Sequence, residues 1–177
     1  MAKKACNTIS FLNRNLRGCS KPVKDQAYKT YVKPVLEYAC PIWDPHTKKN
    51  VTALEKVQRA GARFVSGNYH DYKPGAMTSI LKDLRWEPLA QRRNTIKLQT
   101  LHGIIHRRLD VPIPPCYSQL SRRTRGHNQC YFIPAIASEV LKTSFFPTAF
   151  HLWNKLSQDA VGCECQEAFK SALMAQQ

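Results

Sequence analysis

From Asn50 to Ser66, apolar residues recur at the interval of an α-helix while basic residues collect on the far side. At about 100° per residue, Leu54, Val57, Gly61, Phe64 and Val65 form one stripe, and Lys56, Arg59 and Arg63 lie opposite it. Such a segment has to bury one face and leave the other to water or to an anion. The spacing predicts a helix from about Asn50 to Ser66, with Asn50 as its cap, Glu55 and Arg59 as an i,i+4 pair, and Gly67 at its end.

The segment before it, from Ala27, reads as helix interrupted by Pro34, whose missing N–H and ring clash call for one kinked helix or two abutting ones. The sequence PIWDP after Cys40 predicts an extended corner with the Trp43 indole turned onto the core. Nearer the start, Ala5, Ile9, Leu12 and Leu16 fall on one stripe, predicting an amphipathic helix from Lys3 to Leu16. Pro22 fits the first turn of the next helix, which should lie antiparallel to the first.

After Gly67, GNYHDYKPGA reads as a loop and MTSILKDL as a short helix capped by Thr78 or Ser79, with Trp86 and Pro88 at its exit. A long helix is predicted from about Leu89 to Arg108, with Leu98, Leu101, Ile105 and Leu109 on its stripe and Arg92, Arg93 and Arg107 opposite. VPIPP and SRRTRGHNQ then read as a linker. CYFIPAIA reads as an extended segment or short strand interrupted at Pro134. Pro147 opens a helix bearing Phe150, Trp153 and Leu156, and Gln166 to Leu173 is a last short helix. The expected fold class is mainly α: a helical domain over 1–110, a Pro/Arg-rich linker over 111–127, and a small mixed part over 128–177.

Charge narrows the choice of partner. The formal net charge is +15, and its distribution is uneven: residues 1–127 hold 24 Lys and Arg against 8 Asp and Glu, while residues 128–177 hold 3 against 4. A polyanion is the expected partner of the first two thirds, since net charge bears on partners rather than on fold. Lys56, Arg59 and Arg63, with Arg92 and Arg93, are the candidate phosphate contacts on helices, and Arg122, Arg123 and Arg125 those on a loop. The same residues also suit an ordinary solvated surface, or a localisation signal for the loop. Tyr28, Tyr31, Tyr38, Trp43, Tyr69 and Tyr72 interleave with the basic residues; packing is the expectation for most of them, with base stacking as the alternative.

Other chemistry lacks its parts. Seven cysteines without a short repeated spacing point to reduced thiols and an intracellular setting, nucleus or cytoplasm. Cys163 and Cys165 form a CxC with His127, Cys130 and His151 upstream, but without a C-x2-C pairing no metal site is expected. Asp44, Asp71, Asp83 and Asp110 stand apart, each suited to a cap or a turn. MAKKACNTIS has no apolar core of a signal peptide, and no apolar run approaches the length of a membrane span, so no membrane partner is expected.

Several stretches in one order resemble the region downstream of the polymerase active site in reverse transcriptases of non-LTR retrotransposons, LINE-like elements of the CR1, L2 and jockey type. They are RNLRGCSKPVKDQAY, AYKTYVKPVLEYACPIWDP, LEKVQRAGARFV, LRWEPLAQRRNTIKLQTLHGI, TRGH and SFFPTAFHLWNKLSQDAV. The likeness spans about Lys3 to Leu173. It implies a helical thumb that contacts template–product nucleic acid, followed by a C-terminal extension. It also implies a catalytic palm and fingers elsewhere, where paired aspartates hold Mg²⁺. This chain has no Tyr-x-Asp-Asp and no adjacent aspartates, so polymerase activity is not expected from it alone and no cofactor is expected within it. RNA, DNA or a hybrid duplex is the implied partner, with the palm and fingers as a further one. The alternatives are a protein-interaction module and a decayed element copy. Gly61 stands where the family commonly has alanine, and Thr148 where arginine is common. The glycine costs about 1 kcal/mol in a helix interior and reads as decay as readily as adaptation.

Overall fold

The computed structural model describes residues 1–69, 73, 75–120 and 127–175, and the described chain is mainly helical. Contacts divide it into two units, Met1–Arg92 and Arg93–Gln177, each with its own apolar core.

In the first unit, α1 (Ala2–Asn15) buries Ala5, Ile9 and Leu12, as its period requires. Pro34 splits the following run into α2 (Lys21–Tyr31) and α3 (Lys33–Glu37), which abut at the fully buried Val32. Beyond them Ala39 adopts left-handed backbone with φ 50°, and Cys40–Trp43 closes a single helical turn, α4. The expected extended corner is thus a helical one. Pro41 fits the first turn, where its missing donor is not needed, and the Trp43 indole N–H reaches back to the Tyr38 carbonyl while its ring packs on the core.

The long helix α5 runs Lys48–Ser66 and contacts both α1 and α2. Leu54, Val57, Phe64 and Val65 are buried on it, each worth about 2 kcal/mol relative to exposure. Gly67 ends it with φ 72° and donates its N–H to the Arg63 carbonyl at 2.9 Å. Its start lies earlier than expected: Thr47 holds the N-cap position and Asn50 sits inside the first turn. The Glu55–Arg59 pair does not form. Helix α6 (Ala76–Asp83) follows Gly75, at φ 87°, so Thr78 and Ser79 lie within it rather than capping it. Gln58 donates from Nε2 to the Glu87 carbonyl at 2.7 Å, tying the segment after α6 to α5.

Helix α7 spans Leu89–Ile105, ending short of Arg108. Leu89 belongs to the first core, while Leu98 and Leu101 belong to the second, so the division into compact units falls inside this helix. The expected two-faced design is also absent from α7, because Arg93, Lys97 and His102 are buried alongside its leucines.

The second unit is built on α9 (Phe145–Trp153) and α11 (Gln166–Ala175), with the single turns α8 (Glu139–Lys142) and α10 (Gln158–Val161). Ala149, Phe150, Trp153, Val161, Phe169 and Leu173 form its core. Polar groups brace it. His102 donates from Nε2 to the Cys163 carbonyl at 2.7 Å, and His127 from Nε2 to the Trp153 carbonyl at 2.9 Å; a carbonyl only accepts, which sets both tautomers. His127 Nδ1 accepts from the Gln129 N–H at 3.2 Å, and the Trp153 indole donates to the Gln129 carbonyl at 2.9 Å. The segment expected as a strand forms only an isolated antiparallel bridge, Gln119 with Tyr131. Among the described residues, no helix is long and apolar enough to cross a membrane.

Candidate nucleic-acid interface

The cationic face of α5 is wider than the sequence spacing indicated. Because the helix begins at Lys48, Lys48 and Lys49 join Lys56, Arg59 and Arg63 on an arc of about 100°, opposite the buried arc of Leu54, Val57, Gly61, Phe64 and Val65. Four of the five cations are exposed and Arg63 is half-buried. From Lys48 to Arg63 they extend about 22 Å along one side of the rod. A rigid row of this length presents cations at spacings that backbone phosphates can meet.

The N-terminal end concentrates positive potential further. No acidic residue lies in the first turn and the Thr47 side chain makes no cap hydrogen bond, so the free N–H groups of the turn and the two lysines point the same sign of charge outward. Lysines there oppose the helix dipole and cost stability, which is offset when an anion is present. Lys48 and Lys49 were missed because Asn50 is a strong capping residue. Thr47, another good N-cap type directly before the lysine pair, is the signal that finds them.

Two other predicted contacts are placed differently. Arg92 touches the Glu37 carboxylate with its Nη2, and both side chains are largely shielded from solvent. Burial and the neighbouring Glu87 carboxylate push the Glu37 carboxyl up to about 7, and burial lowers the Arg92 guanidinium; their direct contact opposes both trends. Arg93 is 3% exposed and lies in the second unit. Both arginines therefore serve the interior, since an engaged or buried guanidinium cannot meet a phosphate without repacking. Arg122, Arg123 and Arg125 lie outside the described residues.

The aromatic residues divide. Tyr28 is buried, and burial raises its hydroxyl above the ordinary range; Trp43 packs partly on the core. Tyr31 and Tyr38 are exposed instead of packed, Tyr38 at 73%, and Tyr69 donates its hydroxyl to Asn13 Oδ1 at 2.8 Å. Tyr72 lies outside the described residues.

The Cys and His residues are committed elsewhere or apart. Cys130 donates its thiol to the His127 carbonyl at 3.2 Å, and Cys163 to the Asp159 carbonyl at 3.3 Å. Cys165 is exposed ahead of α11, where backbone N–H groups of Ala168 and Glu167 hold its thiol below the usual range. Among the described residues, no group of three or more Cys, His, Asp and Glu side chains is arranged to hold a metal ion. No protein-family model, curated protein or solved structure matches the chain.

Proposed function

We propose that this chain is the thumb and C-terminal region of a non-LTR retrotransposon reverse transcriptase, and that α5 grips the phosphate backbone of a template–product duplex. The observation that carries the reading is the five-cation face of α5, with its uncapped, lysine-bearing N-terminus. The ordered sequence motifs supply the family, and the charge of +16 over residues 1–127, from 24 basic against 8 acidic residues, supports a polyanionic partner. In this reading the chain holds nucleic acid while a palm and fingers supply the Mg²⁺-dependent chemistry, and it works within the cell, in nucleus or cytoplasm.

The test is the salt dependence of binding to an RNA–DNA hybrid. Each phosphate neutralised releases counterions, so log K should fall linearly with log salt. Contact by the α5 face predicts a slope of about −4 for four or five phosphates. An affinity indifferent to salt would remove this reading.

A second reading, a protein-interaction module, draws on the exposed apolar surface of the first unit. Tyr38 and Ile42 are 73% and 85% exposed. A palm domain or another protein covering them would account for apolar side chains left in water. Self-association, or dye binding to exposed apolar surface, separates the two: a dye-silent monomer that binds hybrid duplex supports the first.

A further inference from the structure

Along α9 in the second unit runs a groove that neither the duplex-gripping face nor the core accounts for. It comprises two adjoining cavities of about 340 and 230 Å³ that share Ile133 and His151. Tyr131, Phe132 and Ile133 line the larger one together with His151, Asn154 and Lys155. Ile136 and Lys142 line the smaller one.

The wall is built in place. Asn154 Oδ1 accepts from the Tyr131 N–H at 2.9 Å and Asn154 Nδ2 donates to the Tyr131 carbonyl at 2.8 Å, which copies the pairing of a neighbouring strand. Phe132 donates its N–H to the Ser118 carbonyl at 2.8 Å, and the residue is 49% exposed. An aromatic face is thus held open on a fixed backbone.

Charge selects the occupant. Residues 128–177 contain three lysines and four carboxylates. Two of those lysines, Lys142 and Lys155, line the groove together with His151, and none of the four carboxylates does. Lys142 pairs with Glu139 at 2.7 Å, but both side chains are exposed, and such a pair is weak enough for a phosphate to displace. Two lysines set among aromatic and aliphatic side chains suit a chain that alternates anionic groups with flat apolar faces.

We propose that this groove binds single-stranded nucleic acid, one base lying against Phe132 and Ile133 and the flanking phosphates meeting Lys155 and His151. The nucleic-acid reading above favours this occupant over an acidic peptide, which would satisfy the cations but leave the aromatic face without a stacking partner.

The experiment uses the full chain with a fluorescent 12-nucleotide oligo(dT) and, separately, an RNA–DNA hybrid duplex. Phe132→Ala should weaken oligo(dT) binding about tenfold with its salt slope unchanged, as loss of one stacked base does. Lys155→Gln should flatten that slope by about 0.7, the value of one single-strand phosphate contact. Neither should alter hybrid binding, whereas Lys56→Gln with Arg59→Gln should. Wild-type oligo(dT) affinity in both groove variants overturns the proposal, as does displacement of oligo(dT) by oligoglutamate of equal charge. If the α5 double variant leaves hybrid binding intact while Phe132→Ala still weakens oligo(dT), the duplex reading fails and the groove stands.

Discussion

The ring of Tyr28 occupies the space that a side chain on Gly61 would need: a Cβ at position 61 would fall 2.2 Å from a Tyr28 ring carbon. The ring's other partner is Trp86, stacked with centroids 4.1 Å apart and planes at 19°. Trp86 is itself anchored by its indole, which donates to Asp25 Oδ1 at 3.0 Å. Gly61→Ala should therefore destabilise the chain by about 2 kcal/mol, the usual scale of overpacking, although the same change in an open helix gains about 1 kcal/mol. Urea denaturation of a double-mutant cycle with Tyr28→Ala checks this, since Gly61→Ala should turn stabilising once the ring is gone. The glycine therefore has a packing reason in this fold.

Arg92 and Arg59, both predicted phosphate contacts, should separate by experiment. Arg92→Gln leaves the shielded Glu37 carboxylate without its cation and should cost about 3 kcal/mol in stability, with the salt slope of hybrid binding unchanged. Arg59→Gln removes an exposed charge and should do the reverse, flattening the slope by about 0.9 with little change in melting temperature. A flattened slope in the Arg92 variant would return that residue to the interface.

Lys48→Gln with Lys49→Gln should raise stability and lower affinity together. Removing two cations from the first turn relieves their conflict with the helix dipole, worth about 0.5 kcal/mol each, and removes up to two phosphate contacts. Calorimetry and anisotropy titration on one sample read both. Equal loss of stability and affinity would mean that the lysines brace the helix rather than meet an anion.

The second unit should weaken in acid through His102. Burial, with His106 and Arg108 nearby, holds the His102 imidazole below its ordinary value of 6.5, while its bond to the Cys163 carbonyl opposes them. The ring is stacked on Phe169 at 4.3 Å and tilted against His106 at 4.2 Å. Because the folded value lies below the unfolded one, the unfolded chain binds the extra proton first. Stability from this group is complete above about 6.5 and is lost as pH falls below it. His102→Gln keeps an N–H donor without the titration, so the wild type should lose more stability than this variant between pH 7 and 5 in thermal melts. Parallel losses would acquit His102.

The parts of the fold legible in the sequence are those in which one helix face answers to one environment. The α1 stripe and the apolar arc of α5 were readable because each faces a single core. In α7 the rule misled, since Arg93, Lys97 and His102 are buried through tertiary packing that a local period does not register. The bond from His102 spans 61 residues and that from His127 spans 26, and no short-range spacing encodes either. Of the candidate interface, Lys56 and Arg59 were legible as exposed cations of a two-faced helix. Lys48 and Lys49 escaped through a cap placed three residues late, and the pairing of Arg92 with Glu37 was not legible because that carboxylate lies on another helix.

Helix α7 enters one core with Leu89 and leaves another with Leu101. Helical hydrogen bonds propagate from turn to turn, so melting at one end of α7 frays toward the other. A chain cut between Arg92 and Arg93 would end the first piece partway along α7 and strip several carbonyls of their partners. Expressed halves should therefore be less soluble and exchange their amide hydrogens faster than the same residues in the intact chain, and a fragment extended to Ile105 should recover part of the loss.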